Sequence, residues 1–196
     1  MLFRSAASAT IARFREAELA APSGPAYVEK EFSFELGGHR IRGRWDRVDV
    51  RRLAPGERTR PIPEIDDAGD LMRPTLPLGD DEWVVVSDYK TGGRDEEEHS
   101  TKRARDSLQL QLYALAWRAT TGRLPDEVSL RFLDTGRVAT VPVEPKRIEK
   151  ARAAIMAAAA GIAAEAMSAT PDLMTCTYCP YRELCPVSKA PSGRPS

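Results

Sequence analysis

The chain has 196 residues, 42% of them hydrophobic and 30% charged, the profile of a folded domain with a core rather than of a disordered chain. Lys plus Arg equals Asp plus Glu at 29 each, so no global basic field points to nucleic acid and any such contact must be local. No apolar run is long enough to span a bilayer, and three cysteines gathered near the C-terminus exclude a secreted disulfide framework, so a reducing, cytoplasmic compartment is expected.

Residues 2–20 have helical spacing, with Leu2, Phe3, Ile11, Phe14 and Leu19 as the inner face. This start lacks the continuous apolar core of a signal peptide. "APSGPA" ends the helix through Pro and Gly. "YVEKEFSFELGGHRIRGRWDRVDV" then alternates: Val28, Lys30, Phe32, Phe34 and Leu36 point one way, Glu29, Glu31, Ser33 and Glu35 the other. The glycines at 37 and 38 turn a hairpin, and residues 39–51 form the return strand. Residues 54–82, rich in Pro, Gly and acids, carry no period and predict a long loop or insertion of unassigned role. Residues 83–87 resume as a short, buried, Val-rich strand. A charged stretch, "RDEEEHSTKRAR", leads into a helix, "DSLQLQLYALAWRATTG", with Gly122 as its C-cap and Pro125 as a stop. A strand pair follows about a turn at 134–136, then an alanine-rich helix over 144–170. The order predicts an α/β fold with a mixed sheet and helices against it.

The chemistry gathers at "VVVSDYKTGG". Residues i and i+2 of a strand share a face, so Asp88 and Lys90 project together at the end of a rigid element. Asp46, in "GRWDRVDV", puts a second acid on another strand end. Two carboxylates and the Tyr89 carbonyl make an oxygen-rich set of the kind Mg²⁺ or Mn²⁺ takes. Lys90 is suited to holding an attacking water or offsetting charge on phosphoryl oxygens. An exposed ion pair beside a turn explains "DYK" equally well. In "QLQLYALA", Gln109 and Tyr113 are four apart and stack on one helical face, while Gln111 faces elsewhere; a polar rim with a buried Tyr is the plain alternative. Arg42, Arg44, Arg47, Lys102, Arg103 and Arg105 are candidate phosphate contacts, or a solvated charge run. Cys176, Cys179 and Cys185 have C-x₂-C-x₅-C spacing, which in a cytosolic protein suggests metal ligation; both structural zinc and Fe–S clusters normally want four ligands.

"GRWDRVD", "DYKTG", "QLQLYALA" and "CTYCPYRELCP", in this order, resemble the RecB-type nuclease domain of the PD-(D/E)XK superfamily. The likeness is greatest to the C-terminal nuclease module of bacterial UvrD/RecB-family helicase-nucleases, with a relation to the AddB nuclease domain, and spans about residues 28–186. It implies a restriction-endonuclease-like mixed sheet flanked by helices, with a nuclease core over 1–175, a Cys-rich segment at 176–186 and a disordered tail at 187–196. It implies a deoxyribonuclease, exonuclease rather than endonuclease, acting on DNA in repair or recombination beside a UvrD/RecB-like helicase, fused or separate, with no membrane partner. Asp46 and Asp88, with the Tyr89 carbonyl, are then the Mg²⁺ or Mn²⁺ ligands, Lys90 the catalytic lysine, and Gln109 and Tyr113 the helix motif; Glu31 is a further candidate acid or part of a solvated strand face. The cysteines are, by the same resemblance, three ligands of a [4Fe–4S] cluster whose fourth lies upstream. The sequence has no upstream cysteine, and neither His39 nor His99 matches the metal-ligating histidine of the family's first helix. The expectation is a chain truncated at its N-terminus; an inactive DNA-binding or scaffold domain derived from the nuclease, or a zinc-binding interaction module, are the alternatives.

Overall fold

A valine run with no polar face needs cover on both sides, and the segment holding it becomes the middle strand of a sheet. The computed structural model of the chain describes residues 2–21, 24–65, 78–91, 97–166 and 168–190. Two compact units divide it, Met1–Met156 and Ala157–Ser196. The first contains helix α1 (Leu2–Ala20) and strands β1 (Tyr27–Leu36), β2 (His39–Arg52), β3 (Glu82–Lys90), β4 (Glu127–Phe132) and β5 (Val138–Pro142). The sheet order is β1-β2-β3-β4-β5. All neighbours pair antiparallel except β3 and β4, which are parallel. A parallel join needs a crossover, made here by α2 (Glu97–Asp106) and α3 (Leu108–Thr121). The fold is thus the mixed α/β sheet with flanking helices that the element order predicts.

The core lies between α3 and one face of the sheet. Phe32 and Trp45 from the hairpin meet Tyr113 and Trp117 of α3: ring centroids are 4.8 Å apart for Phe32–Trp45, 5.9 Å for Phe32–Tyr113 and 5.6 Å for Trp45–Trp117. Val48, Val84, Val86, Val128 and Leu130 extend this layer. Ser107 caps α3 by accepting from Leu110 N–H at 3.3 Å, and Gly122 closes it in the left-handed conformation at φ 89°, as its sequence position predicts.

Several expectations are corrected. The charged stretch before α3 is itself a helix, α2, and Ser107 separates the two. β3 runs on to Lys90 rather than ending at Ser87. Ile11 and Leu19 are exposed, as is Val28. α1 is held by charge as well as by Phe14: Glu18 pairs with the buried Arg47 at 2.5 Å and lies 3.7 Å from Arg131. The expected insertion is anchored where it is described, over residues 53–65 and from 78 onward. Arg58 pairs with the buried Asp126, Arg60 pairs with Glu127 at 2.5 Å, and both guanidiniums stack on Trp83. Residues 66–77 lie outside the described residues.

The alanine-rich helix is α4 (Pro145–Ala163), and its last turns fall in the second unit. That unit also holds a short helix, α5 (Leu173–Tyr178), capped by Asp172, which accepts from Thr175 N–H at 3.0 Å. Of the tail expected to be disordered, 191–196 lie outside the described residues. No described helix is long and apolar enough to cross a membrane.

Gly43 of β2 lies under the Phe32 ring, where a Cβ would stand 2.4 Å from Cζ. Phe32 is buried among aromatic neighbours, so Gly43→Ala overpacks the core. The expected loss is about 1–3 kcal/mol, read as a lower urea midpoint; an unchanged midpoint refutes this packing.

Candidate active site

Strand alternation places Asp88 and Lys90 on the core face of β3, in line with Val84 and Val86. Asp88 is 2% exposed, while Lys90 at the strand end keeps access to solvent. Lys90 Nζ is 2.7 Å from Asp88 Oδ2, a close ion pair that is the one polar contact of this buried oxygen among the described residues. Lys90 also donates to Gln109 Oε1 at 2.9 Å. Gln109 Nε2 donates to Tyr113 Oη at 3.1 Å, and the Tyr113 hydroxyl donates to Asp46 Oδ1 at 3.2 Å. Asp46 Oδ2 accepts the Tyr89 N–H at 2.9 Å. Asp46, Asp88, Lys90, Gln109 and Tyr113 therefore form one connected group. The Tyr89 carbonyl faces the same gap between β2 and β3, because an extended residue directs its N–H and C=O to one side.

Asp46 lies in the middle of β2 rather than at a strand end; alternation back from Val48, which pairs with Val86, puts it on the Asp88 face, and a break in pairing with β1 lets its neighbour Trp45 share that face. Partners along β1 and β2 run Val28↔Arg47, then Lys30↔Trp45; the pair that would match Glu29 with Asp46 is missing, and Glu29 has φ 51°. Trp45 and Asp46 are neighbours, yet both touch Tyr113: Trp45 Nε1 donates to its carbonyl at 3.1 Å, and Asp46 accepts from its hydroxyl. Regular alternation would send them to opposite faces. Arg47, paired with Ser87, takes the other face of the sheet by regular alternation, beside Asp49, Glu18 and the Tyr89 hydroxyl.

The electrostatics follow from burial. Desolvation raises the pKa of Asp88; Lys90 pulls it down, Asp46 pushes it up, and the balance stays above the ordinary carboxylate range. Tyr113 is pushed up to about 12, by burial first and by the Asp46 charge further down the order, so its hydroxyl stays a donor. A buried carboxylate oxygen with a single polar contact, beside a second carboxylate, is an arrangement that a hard divalent cation relieves. The residues present fit such an ion. Among the described residues no three His, Cys, Asp or Glu side chains are grouped to hold a metal, so the candidate donors are two carboxylates and a main-chain carbonyl, a set completed by water and substrate in the usual manner of Mg²⁺.

A model of the PD-(D/E)XK nuclease superfamily matches residues 77–186, more than half of the sequence. The chain belongs to that superfamily. One solved structure, "Crystal structure of SSO0001", aligns over 93% of this chain and 70% of its own length, at 18% identity and a TM-score of 0.41. No curated protein matches the chain. Superfamily members are in general metal-dependent nucleases and typically take Mg²⁺ or Mn²⁺, in keeping with the two-carboxylate site.

Other candidates fall elsewhere. Glu31 is exposed and paired with Arg44 at 3.1 Å, which also holds Glu29 at 3.3 Å. Arg47 is 3% exposed and committed to Glu18 and Asp49, so it is removed from the set of phosphate contacts. Lys102 pairs with Asp106, Arg105 lies 3.8 Å from Glu144, and Arg103 stacks over Phe132. Gln111 is buried and donates to the Arg105 carbonyl at 3.3 Å, tying α3 to α2. His39 is half-buried at the hairpin turn and His99 exposed on α2. Cys176 is buried, Cys179 and Cys185 are half-buried, and all three are free thiols; they do not make the grouped thiol site expected of a cluster motif.

Between the ordinary carboxylate pKa and the raised value of Asp88, the folded chain holds a proton that the unfolded chain has lost. Stability therefore falls as pH rises through that window. Asp88→Asn is expected to raise the thermal midpoint of metal-free protein at pH 7 by about 2–4 °C, what ~1 kcal/mol is worth at this size, with the gain shrinking near pH 4. Calorimetry that finds the variant less stable at pH 7 overturns this electrostatic reading.

Proposed function

We propose that the chain is a deoxyribonuclease that hydrolyses phosphodiester bonds at the Asp46–Asp88–Lys90 site, an exonuclease of a RecB-like helicase–nuclease system in DNA repair or recombination. One observation carries the reading: side chains from β2, β3 and α3 meet in an unbroken chain of contacts around a buried, under-bonded carboxylate oxygen. Asp46, Asp88 and the Tyr89 carbonyl are the groups that would hold Mg²⁺ or Mn²⁺. When bound, the ion supplies Lewis-acid polarisation of a phosphoryl oxygen.

The chain's own residues do the positioning. Gln109 holds Lys90 Nζ through Oε1 and fixes the Tyr113 hydroxyl through Nε2. Lys90 is placed to orient the attacking water or to offset charge on the phosphoryl oxygens. Water attacks phosphorus in line with the leaving oxygen; the new P–O bond forms as the old one breaks, the attacking water gives up a proton to solvent, and the leaving oxygen takes one from solvent. Tyr113 keeps Asp46 aimed by donating to Oδ1.

The finer parts of the proposal rest on the ordered sequence motifs. A UvrD/RecB-like helicase is the expected partner, fused or separate. On their spacing alone, Cys176, Cys179 and Cys185, which are not grouped in the metal-free fold, are proposed to be drawn together as three ligands of a [4Fe–4S] cluster whose fourth ligand is not in this sequence. Anaerobically purified protein is expected to be brown and to contain iron and sulfide; zinc without iron refutes the cluster.

The nuclease reading is tested with linear DNA and Mn²⁺. Wild-type protein is expected to release nucleotides from the ends, and Lys90→Ala to lower the rate by about 10²–10³-fold, the loss typical of removing one transition-state donor. Equal rates in wild type and variant, or no cleavage in any divalent metal, overturn the assignment.

A further inference from the structure

On the reverse face of the sheet, against α1, a cavity of about 260 Å³ opens beside the end of β3. Arg13, Phe14 and Glu18 of α1 line it on one side; Arg131, Leu133 and Arg137 line it on the other. Two contacts tie it to the site already described. Leu133 N–H donates to the Lys90 carbonyl at 3.0 Å, and the Phe14 ring stands edge-on to Tyr89, centroids 5.6 Å apart. The cavity and the Asp88–Lys90 pair thus lie on the two faces of one strand end.

Its charge is unbalanced. The lining side chains include three arginines and one glutamate, an excess of two positive charges. Adding their ion-pair partners Arg47 and Asp49 leaves the excess unchanged. Arg131 is committed to Asp49, Glu18 and the Ser87 hydroxyl. Arg13 spends one donor on the Asp134 carbonyl, out of the five N–H groups of a guanidinium. Arg137 Nη1 is buried and has no hydrogen-bond partner among the described residues. An unsatisfied buried donor of this kind costs stability until an acceptor arrives. A tetrahedral oxyanion supplies several acceptors at once and matches forked guanidinium donors.

We infer that this cavity seats a phosphate group, and that its source is a non-scissile phosphate of the DNA strand held at the Asp46–Asp88 site. The inference rests on the nuclease reading for its DNA source, and on the cavity alone for its phosphate chemistry. Arg13 and Arg137 bind the phosphate; Arg131, already paired, frames the cavity floor. A strand gripped on the reverse face cannot slide freely past Lys90, so the contact sets the register of the strand at the site.

Two measurements test it on the full chain. The first is the thermal midpoint with and without inorganic phosphate, at constant ionic strength. The second is oligonucleotide affinity across a range of KCl in EDTA, where no cleavage intervenes. Phosphate is expected to raise the wild-type midpoint and leave that of the Arg13→Gln/Arg137→Gln protein unmoved. The slope of log affinity against log salt is expected to shrink by about 1 in that variant, the signature of one lost phosphate contact. If the double variant does not fold, Arg137→Lys serves: it keeps the charge, loses the fork, and should weaken the phosphate response. An equal phosphate response in wild type and variants overturns the site. An arginine-dependent response to phosphate with an unchanged salt slope, or with no oligonucleotide binding, overturns the DNA source and leaves free phosphate as the ligand. Loss of slope in the variant of a protein that cuts no DNA in any metal sinks the nuclease reading and supports the phosphate site.

Discussion

Trp45 and Asp46 are adjacent residues of one strand, and both must reach Tyr113. The strand repeat of two forbids it, and the sheet yields at the single missing pair between Glu29 and Asp46. Interruptions of a ladder often re-aim a side chain near an active site. Trp45 turns into the aromatic layer that anchors α3, and Asp46 keeps its regular place across from the end of β3, where it meets Tyr89 N–H and shares the space of Asp88. Alternation back from Val48, the partner of Val86, already puts Asp46 on the Asp88 face; without the break it is Trp45 that would lie on the opposite face, and the layer against α3 would lose its ring.

Bringing two carboxylates together inside a fold is electrostatically unfavourable, and the surroundings show how far it is tolerated. Lys90 offsets part of the charge, but burial and Asp46 win, and Asp88 holds its proton more tightly than a free carboxylate. Tyr113 answers Asp46 with a hydroxyl that burial keeps protonated. The group is therefore organised and under-neutralised at once. Such a site favours a divalent cation over water alone, with two carboxylates and a carbonyl as donors and the remaining positions left to water and phosphate.

The sequence made part of this legible. Where the periods of strand and helix hold, spacing alone put Asp88 with Lys90 and Gln109 with Tyr113, and the structure joins the two pairs through one hydrogen bond, Lys90 to Gln109. Asp46 was visible as an acid in the right hairpin, and alternation from Val48 carries it to the Asp88 face; Trp45 beside it on the same face was not, because that depends on a backbone distortion at Glu29 that no residue type announces, a glutamate being an unusual occupant of positive φ. Arg47 misled for another reason. An arginine next to a site acid reads as a phosphate contact, yet alternation puts it on the far face, where Asp49 and Glu18 bury it. The anchoring of residues 53–65 was beyond reach, since Arg58 and Asp126 are 68 positions apart and no local pattern links them.

These distant charges explain why β3 can carry an unfavourable site at one end. At its other end Asp126 accepts from Val84 N–H at 2.8 Å and sits between Arg58 and Arg123, while both arginines also donate to the Glu82 carbonyl. On the reverse face Arg47 binds Asp49 through two nitrogens and reaches the Tyr89 hydroxyl at 3.4 Å. Buried pairs of this kind add little net stability over apolar packing, but losing one partner leaves an uncompensated charge and costs several kcal/mol. Their effect here is to hold a strand in register. β3 is gripped by ion pairs at its start and through Tyr89 from behind, so its last residues keep their place although Asp88 would gain by moving into water. The position of the candidate site is therefore maintained by charges that take no part in its chemistry, and the surface where those charges end, the arginine cavity beside Lys90, is where the same sheet has cationic donors left for a ligand.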